Sequence, residues 1–333
     1  MSLVEAAEKA DTAFSGIPII DLKDIANPDP SVKRALANQV RDACINVGFL
    51  YVKNHGIPEQ AISDALAAMK EYFSLPLETK MELDINKSSN FKGYNAVLSS
   101  NNDPESAGDM HEGFEFNREP IDPVEAANEK RLHDGVMAGA NVWPRDPPGF
   151  REAMLRYYHP VVNLGLALFP LFALALDLPA DFFDDKTRHC AALMRALHYP
   201  PQTGPVDDRV IGIGAHTDFE CFTILWQEPG IQALQILNAD KKWIDAPPIP
   251  GTLVVNLGDQ FARWTNDVFR STVHRAINRS GMRRYSIPLF FGTDYDVRLE
   301  PIPSCVSEDR PVHYEVVTAG EYVKERLKKA YGH

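Results

Sequence analysis

In Gly214-Ala-His-Thr-Asp218 a histidine and an aspartate stand two residues apart. On a β-strand, residues i and i+2 point to the same face, so the His216 imidazole and the Asp218 carboxylate can enter one cavity together. His274, in Ser271-Thr-Val-His-Arg275, lies in a second apolar run that reads as a strand. Two histidines and one carboxylate on one face of a metal leave open positions of the kind that suit Fe(II) and O2. Ten histidines and 46 acidic residues make His-x-Asp and His-x-Glu pairs common by chance, and His313 with Glu315 is such a decoy. Only the terminal His333 follows that decoy, whereas His216 is followed by His274 and then by Arg284-Tyr-Ser286. The pair alone is weak; the ordered set is strong.

Arg284 and Ser286 are again i and i+2 on an expected strand, so a guanidinium fork and a hydroxyl can grip one carboxylate together. Arg283 then faces the other way, and Arg279 and Arg283 flank Ser280-Gly281 as a solvated basic hairpin. His55 reads as a turn residue in Asn-His-Gly, and His111, His133, His159 and His189 also read as structural.

The elements that must position these groups change character along the chain. Residues 1–15, rich in Ala and Glu, read as a flexible leader without the basic start and apolar run of a secretory signal. From 16 to 180 the pattern is mostly helical. A strand over Ile17–Leu22 precedes a helix capped by Ser31 and stopped by Gly48, then a strand over Phe49–Lys53 and a helix over Glu59–Phe73. A long apolar helix runs from Phe150 to Leu178 with a kink or break at Pro160. Its stretch Val161–Leu178 approaches a bilayer span in length, but Asn163, Pro170 and Asp177 interrupt it, so it reads as a buried core helix. The polar stretch Asn86–Trp143 reads as long surface loops. From 181 to 333 short Val, Ile, Leu and Phe runs alternate with turn residues. Strands are expected at Arg209–His216, Phe222–Gln227, Leu234–Asn238, Thr252–Leu257, Arg270–Ala276 and Tyr285–Phe291, followed by a C-terminal helix. That is an α+β chain, a helical front and a jelly-roll-like barrel behind, in one compact unit.

Bulk properties narrow the function classes. A net charge of −12 repels phosphate backbones, which argues against nucleic acid as a partner. Four cysteines without CxxC spacing fit neither a disulfide framework nor a structural zinc site. These features, with no anchor expected, describe a cytoplasmic protein that needs a small molecule, with no obligatory protein partner evident.

Ile17-Pro-Ile-Ile-Asp21, Gly48-Phe-Leu-Tyr-Val-Lys-Asn-His-Gly56, Leu197-His-Tyr-Pro200, His216-Thr-Asp218, Val255-Asn-Leu-Gly-Asp259, Ser271-Thr-Val-His-Arg275 and Arg284-Tyr-Ser286 follow one another in order over nearly the whole chain. In that order they resemble the isopenicillin N synthase-like family of iron- and 2-oxoglutarate-dependent dioxygenases. Met194-Arg-Ala-Leu-His-Tyr-Pro200 and Ala262-Arg-Trp-Thr-Asn-Asp267 are similar to fungal members such as thymine hydroxylase. The resemblance implies a distorted double-stranded β-helix with helical N-terminal support. It implies iron held by His216, Asp218 and His274, and the distal carboxylate of 2-oxoglutarate held by Arg284, Ser286 and Tyr199. It places Arg195 and Phe290 near the substrate, with Asn90, Phe91 and Tyr94 in a loop that can lean over the site. Leu197 stands where many plant relatives have Asn, and Gly292-Thr-Asp-Tyr-Asp296 where many members have Asn-Pro.

The implied activity is oxidation of a small molecule with Fe(II), 2-oxoglutarate and O2, by default hydroxylation, in fungal-type secondary or pyrimidine metabolism. Desaturation or ring formation is open to the same chemistry. Two other readings stay open at this point: an oxidase of the same fold that needs no 2-oxoglutarate, and a non-enzymatic barrel that binds small molecules.

Overall fold

A computed structural model describes residues 2–88, 90–99, 108–122, 124–125, 139–202 and 212–331. His133, His333 and the first residues of the strand expected from Arg209 lie outside the described residues.

The helices are α1 (Leu3–Glu8), α2 (Pro30–Asn46), α3 (Glu59–Phe73), α4 (Leu77–Lys80), α5 (Phe150–Ala175), α6 (Asp259–Trp264) and α7 (Ala319–Tyr331). The strands are β1 (Ile19–Asp21), β2 (Phe49–Lys53), β3 (Gly93–Asn95), β4 (Glu112–Phe116), β5 (Ala192–Tyr199), β6 (Ile213–His216), β7 (Phe222–Gln227), β8 (Leu234–Leu237), β9 (Trp243–Asp245), β10 (Thr252–Leu257), β11 (His274–Ala276) and β12 (Arg284–Phe291). Eight of them form a large sheet in the order β1-β2-β10-β7-β12-β5-β4-β3, and β6-β11-β8-β9 form a smaller one. Two mostly antiparallel sheets with helices on the N-terminal side are the α+β, double-stranded β-helix arrangement that the sequence implies.

The residues explain the elements. The α2 helix starts at Asp29, whose carboxylate accepts the Ser31 N–H at 2.8 Å, so the cap is Asp29 and not Ser31 as expected. Gly48 ends it with a φ of +73°. A Cβ there would lie 2.4 Å from the Arg270 carbonyl oxygen and 2.6 Å from Thr272 Oγ1, so only glycine lets β2 pass the segment leading into His274. The α5 helix runs as one element through Pro160, where a kink or break is expected, and through Pro170. It is apolar and long enough to cross a membrane, yet Tyr157, Tyr158, Val161, Leu168 and Phe172 are buried and the helix packs on α2, α3 and β12.

Two expectations are corrected. Residues 1–15 are not a flexible leader. Ser2 Oγ accepts the Glu5 N–H while Glu5 Oε2 accepts the Ser2 N–H, a capping box that starts α1, and Leu3, Ala7 and Phe14 are buried. A six-residue helix has no stability of its own, so packing decides it, and composition cannot show that. The stretch Asn86–Trp143 is not surface loop throughout, because β3 and β4 lie within it and join the large sheet beside β5. Its acidic residues disguised this. Glu112 and Glu115 are buried because Lys80 and Arg195 reach them at 2.7 Å each.

Candidate active site

Strands β6 and β11 pair antiparallel with His216 directly opposite His274, and the two rings stand 4.4 Å apart. The expected strands are shorter than their apolar runs. β6 ends at His216, so Asp218 sits just past the strand and not on it. β11 begins at His274; before it the Arg270 N–H donates to the Cys44 carbonyl, and Arg270 Nε and Thr272 Oγ1 donate to the carbonyls of Ile45 and Val47, so this segment is tied to the end of α2. Phe49 on β2 packs its ring edge-on against His274 at 5.3 Å.

The polar contacts leave one face of each ligand clear. Nδ1 of His216 faces the Gly214 carbonyl at 2.8 Å and Nδ1 of His274 faces the Thr272 carbonyl at 3.0 Å, which directs both Nε2 atoms inward. Thr223 Oγ1 and Asn256 Nδ2 donate to Asp218 Oδ2 at 2.5 and 2.7 Å. The other oxygen, Oδ1, lies 3.5 Å from His216 Nε2 and 3.6 Å from His274 Nε2. Donor atoms of all three residues fall within 4.8 Å of one another. Burial opposes ionisation of Asp218, but the imidazoles beside it, His274 foremost, hold its carboxyl well below the ordinary carboxylate range. Burial likewise disfavours a charged His274, yet the Asp218 carboxylate lifts its pKa above the ordinary value. One carboxylate and two imidazoles with fixed outer contacts are a donor set that fits Fe(II).

These ligands open into a cavity of about 140 Å³ that Tyr199, Arg284 and Ser286 also line. Arg284 pairs with Tyr199 across β12 and β5, and its guanidinium lies 4.7 Å above the Tyr199 ring centre. It is 1% exposed; Nη2 donates to Gln227 Oε1 at 3.1 Å, while Nε and Nη1 have no partner among the described residues. A buried guanidinium with idle donors is costly alone and matches a carboxylate from outside the chain. Leu197, opposite Ser286, packs with Tyr199 and Ala276 where a polar contact would otherwise be available.

The comparisons with known proteins agree with this chemistry. A family described as the 2OG-Fe(II) oxygenase superfamily matches residues 190–293, and one described as the non-haem dioxygenase in morphine synthesis N-terminal region matches residues 17–146. A 2-oxoglutarate-Fe(II) type oxidoreductase, hxnY of Emericella nidulans, is 37% identical over 95% of this chain and 90% of its own length. The chain belongs to the 2OG-Fe(II) oxygenase superfamily. A homoarginine-6-hydroxylase of Oryza sativa is 32% identical to this oxygenase over 94% of the chain and 97% of its own length. The full-length thymine-7-hydroxylase of Neurospora crassa, solved with α-ketoglutarate, superposes with a TM-score of 0.81 at 28% identity, covering 94% of this chain and 96% of that one. Fe(II) and 2-oxoglutarate are therefore the metal and cosubstrate of the oxygenase.

The remaining expected residues divide. Arg195 and Phe290 line the cavity of the oxygenase, with the Arg195 guanidinium 5.6 Å from the Phe290 ring centre and 2.7 Å from Glu115. Phe91 and Tyr94 do not line it. Tyr94 is buried against Tyr72 and donates its hydroxyl to Glu112 Oε2 at 2.5 Å, so it is a core residue. Asn90 bonds the Ala140 carbonyl. His313 pairs with Asp267 at 2.9 Å, apart from the triad, as suits a decoy. Sequence reasoning missed Thr223, Gln227, Asn256 and Glu220. Asn256 lies inside the Val255–Asp259 motif and could have been flagged there, but Thr223 and Gln227 are ordinary strand residues until β7 is placed between β10 and β12. Glu220 is buried at the cavity wall, and burial raises its carboxyl to about 8.

Proposed function

We propose that this oxygenase hydroxylates a small molecule, with His216, Asp218 and His274 as the Fe(II) ligands and Arg284, Ser286 and Tyr199 as the grip on the distal carboxylate of 2-oxoglutarate. The observation that carries the reading is the Arg284 guanidinium, buried with two idle donor atoms in the cavity the triad opens into.

Bound iron would supply the centre at which O2, the oxidant, is activated, and 2-oxoglutarate would supply two of the four electrons by its conversion to succinate and CO2, the substrate supplying the other two. Everything else is done by the chain. Arg284 neutralises the far carboxylate and, held by Gln227 and the Tyr199 ring, sets the angle at which the cosubstrate approaches the triad. Ser286, on the same face of β12, offers a hydroxyl to the same carboxylate. Thr223 and Asn256 keep Asp218 turned with Oδ1 toward the two imidazoles. Leu193, Leu225, Leu234, Pro288 and Phe290 exclude water from the reacting centre. Arg195 and Phe290 meet the substrate.

The relatives' names cover different substrates, homoarginine hydroxylation in rice among them, and one structure of the Neurospora hydroxylase holds thymine. Thymine and homoarginine are accordingly the first compounds to try. The charge of −12, which repels phosphate backbones, and four cysteines without CxxC spacing are the grounds for placing it in a reducing cytoplasmic setting without nucleic acid as a partner.

The test is an anaerobic titration with Fe(II) and 2-oxoglutarate, followed by an aerobic screen of small molecules for stimulated succinate release. Succinate release that requires both Fe(II) and 2-oxoglutarate and rises with one class of compound is expected. Turnover of a compound without 2-oxoglutarate would instead mark an oxidase whose Arg284 holds the substrate's own carboxylate.

A further inference from the structure

The C-terminal helix α7 and the segments that carry the metal ligands meet at one carboxylate. Val323 and Leu327, four residues apart on one stripe of α7, line the cavity, so the helix forms part of its wall. Tyr322 and Arg326 form the adjoining stripe and reach Asp259, the first residue of α6. The Tyr322 hydroxyl donates to Asp259 Oδ2 at 2.8 Å, and Arg326 Nη2 lies 3.6 Å from the same oxygen. The start of α7 is fixed by backbone: the Ala319 N–H donates to the Val297 carbonyl and the Gly320 N–H to the Tyr295 carbonyl, both at 2.8 Å.

Asp259 also holds both stretches of chain that present the ligands. Thr217, the residue between His216 and Asp218, donates Oγ1 to Asp259 Oδ2 at 3.2 Å. Ser271, three residues before His274, donates Oγ to Oδ1 at 2.7 Å. The Asp259 N–H donates to the Asp218 carbonyl at 2.8 Å. Arg326 adds a tie of its own, with its guanidinium 4.7 Å from the ring centre of Phe219, the residue after Asp218. Hydroxyls from three separate parts of the chain thus converge on one side chain. In such a network each bond fixes the geometry of the next, so moving one member disturbs the others.

We infer that Asp259 is a positioning residue that joins the metal ligands to α7, so that Fe(II) binding and the seating of α7 against the cavity stabilise each other. With α7 seated, Tyr322 fixes the carboxylate that steadies Thr217 and Ser271, and the three ligands keep their spacing. With the helix displaced, Asp259 loses that partner and both segments relax. Linkage makes the effect reciprocal: whatever the seated helix adds to metal affinity, the metal returns as stability of the seated helix. The donor set is therefore fully ordered only when the wall that excludes water is in place. The inference rests on the reading that His216, Asp218 and His274 hold Fe(II).

The test reads both directions on the full chain, anaerobically: Fe(II) affinity by titration, and hydrogen exchange of the α7 amides with and without Fe(II). In the wild type Fe(II) slows α7 exchange severalfold. Tyr322→Phe removes only the hydroxyl and keeps the ring whose centre lies 5.1 Å from the Arg263 guanidinium. In this variant Fe(II) affinity falls about 3- to 30-fold, the range of a coupling carried through one contact, and Fe(II) protects α7 less. Ser271→Ala, on the ligand side of the same carboxylate, speeds α7 exchange in the Fe(II)-loaded protein. In an Asp259→Ala background Tyr322→Phe has no further effect on Fe(II) affinity; should Asp259→Ala fail to fold, Tyr322→Phe and Ser271→Ala still decide. A contact that serves only the fold gives a different pattern. Tyr322→Phe then speeds α7 exchange equally with and without Fe(II) and leaves Fe(II) affinity at the wild-type value, which overturns the inference. So does a wild-type α7 whose exchange is indifferent to Fe(II). A wild type that binds no Fe(II) at all refutes the underlying reading of the site instead.

Discussion

His216 and His274 face each other across the β6–β11 ladder, ring centres 4.4 Å apart, although four strands, β7 to β10, lie between theirs in the chain. Directly opposed residues of an antiparallel pair are the closest side chains a sheet offers, which is why two of the three ligands can be set there by the ladder alone. Asp218 joins them from the turn beyond β6, steered by Thr223 and Asn256.

Substituting either histidine should abolish iron binding. His216→Ala and His274→Ala are expected to retain no stoichiometric Fe(II) after anaerobic loading and desalting, read by metal analysis. Asn256→Leu should weaken Fe(II) affinity by about 10- to 100-fold, the usual cost of losing a contact that orients a ligand. Normal iron content in either histidine variant would refute the triad.

Iron affinity should fall as the solution is acidified. The Asp218 carboxylate raises the pKa of His274 above its ordinary value, so the metal-free site takes up a proton at a higher pH than a free imidazole does. A ligating imidazole must lose that proton, and binding therefore competes with protons below the raised pKa and is free of them above it. Titrations between about pH 8 and about pH 6 should show affinity dropping with each step, with proton release on binding growing toward the acid end.

Arg284→Gln removes a charge-assisted contact common to every turnover. Its loss should cost about 2 to 4 kcal/mol, and apparent 2-oxoglutarate affinity should fall roughly 30-fold or more. Iron content should stay intact, since Arg284 is not a ligand. Affinity for the primary substrate at saturating 2-oxoglutarate should change much less. The opposite pattern, with 2-oxoglutarate affinity kept and substrate affinity lost, would assign the guanidinium to the substrate.

Gly48→Ala should destabilise the fold by about 1 to 3 kcal/mol, because it places a side chain at positive φ and drives Cβ into the Arg270 carbonyl. The segment it displaces carries Thr272, whose carbonyl orients His274, so iron affinity should drop as well. Denaturant unfolding and metal titration of one preparation measure both effects.

Much of the site could be read before any fold was known. Arg284 and Ser286 follow from residue type and i, i+2 spacing, because strand geometry translates spacing into direction. His274 follows from a second apolar run, and the His216–Asp218 spacing holds although Asp218 reaches the site from the turn beyond β6 and not from the strand. The elements β2, α3, β7 and β10 also begin and end where apolar period and turn residues put them. Elements whose stability comes from elsewhere in the chain were hidden. The α1 helix is held by the core it packs on, and β4 buries Glu112 and Glu115 against Lys80 and Arg195 from other segments.

What the sequence by itself determined is therefore the chemistry available: which groups can bind a metal or grip a carboxylate, and, for those that lie on strands, which face each one takes. Only the tertiary structure decided which of those groups meet. It set Thr223 and Asn256 on Asp218, removed Tyr94 from the cavity into the core, and left one oxygen of Glu220 unmet beside Gly292. The physical reason is range: side-chain direction follows from the local backbone period, whereas desolvation and hydrogen-bond satisfaction depend on atoms that the chain brings together only when its two sheets close.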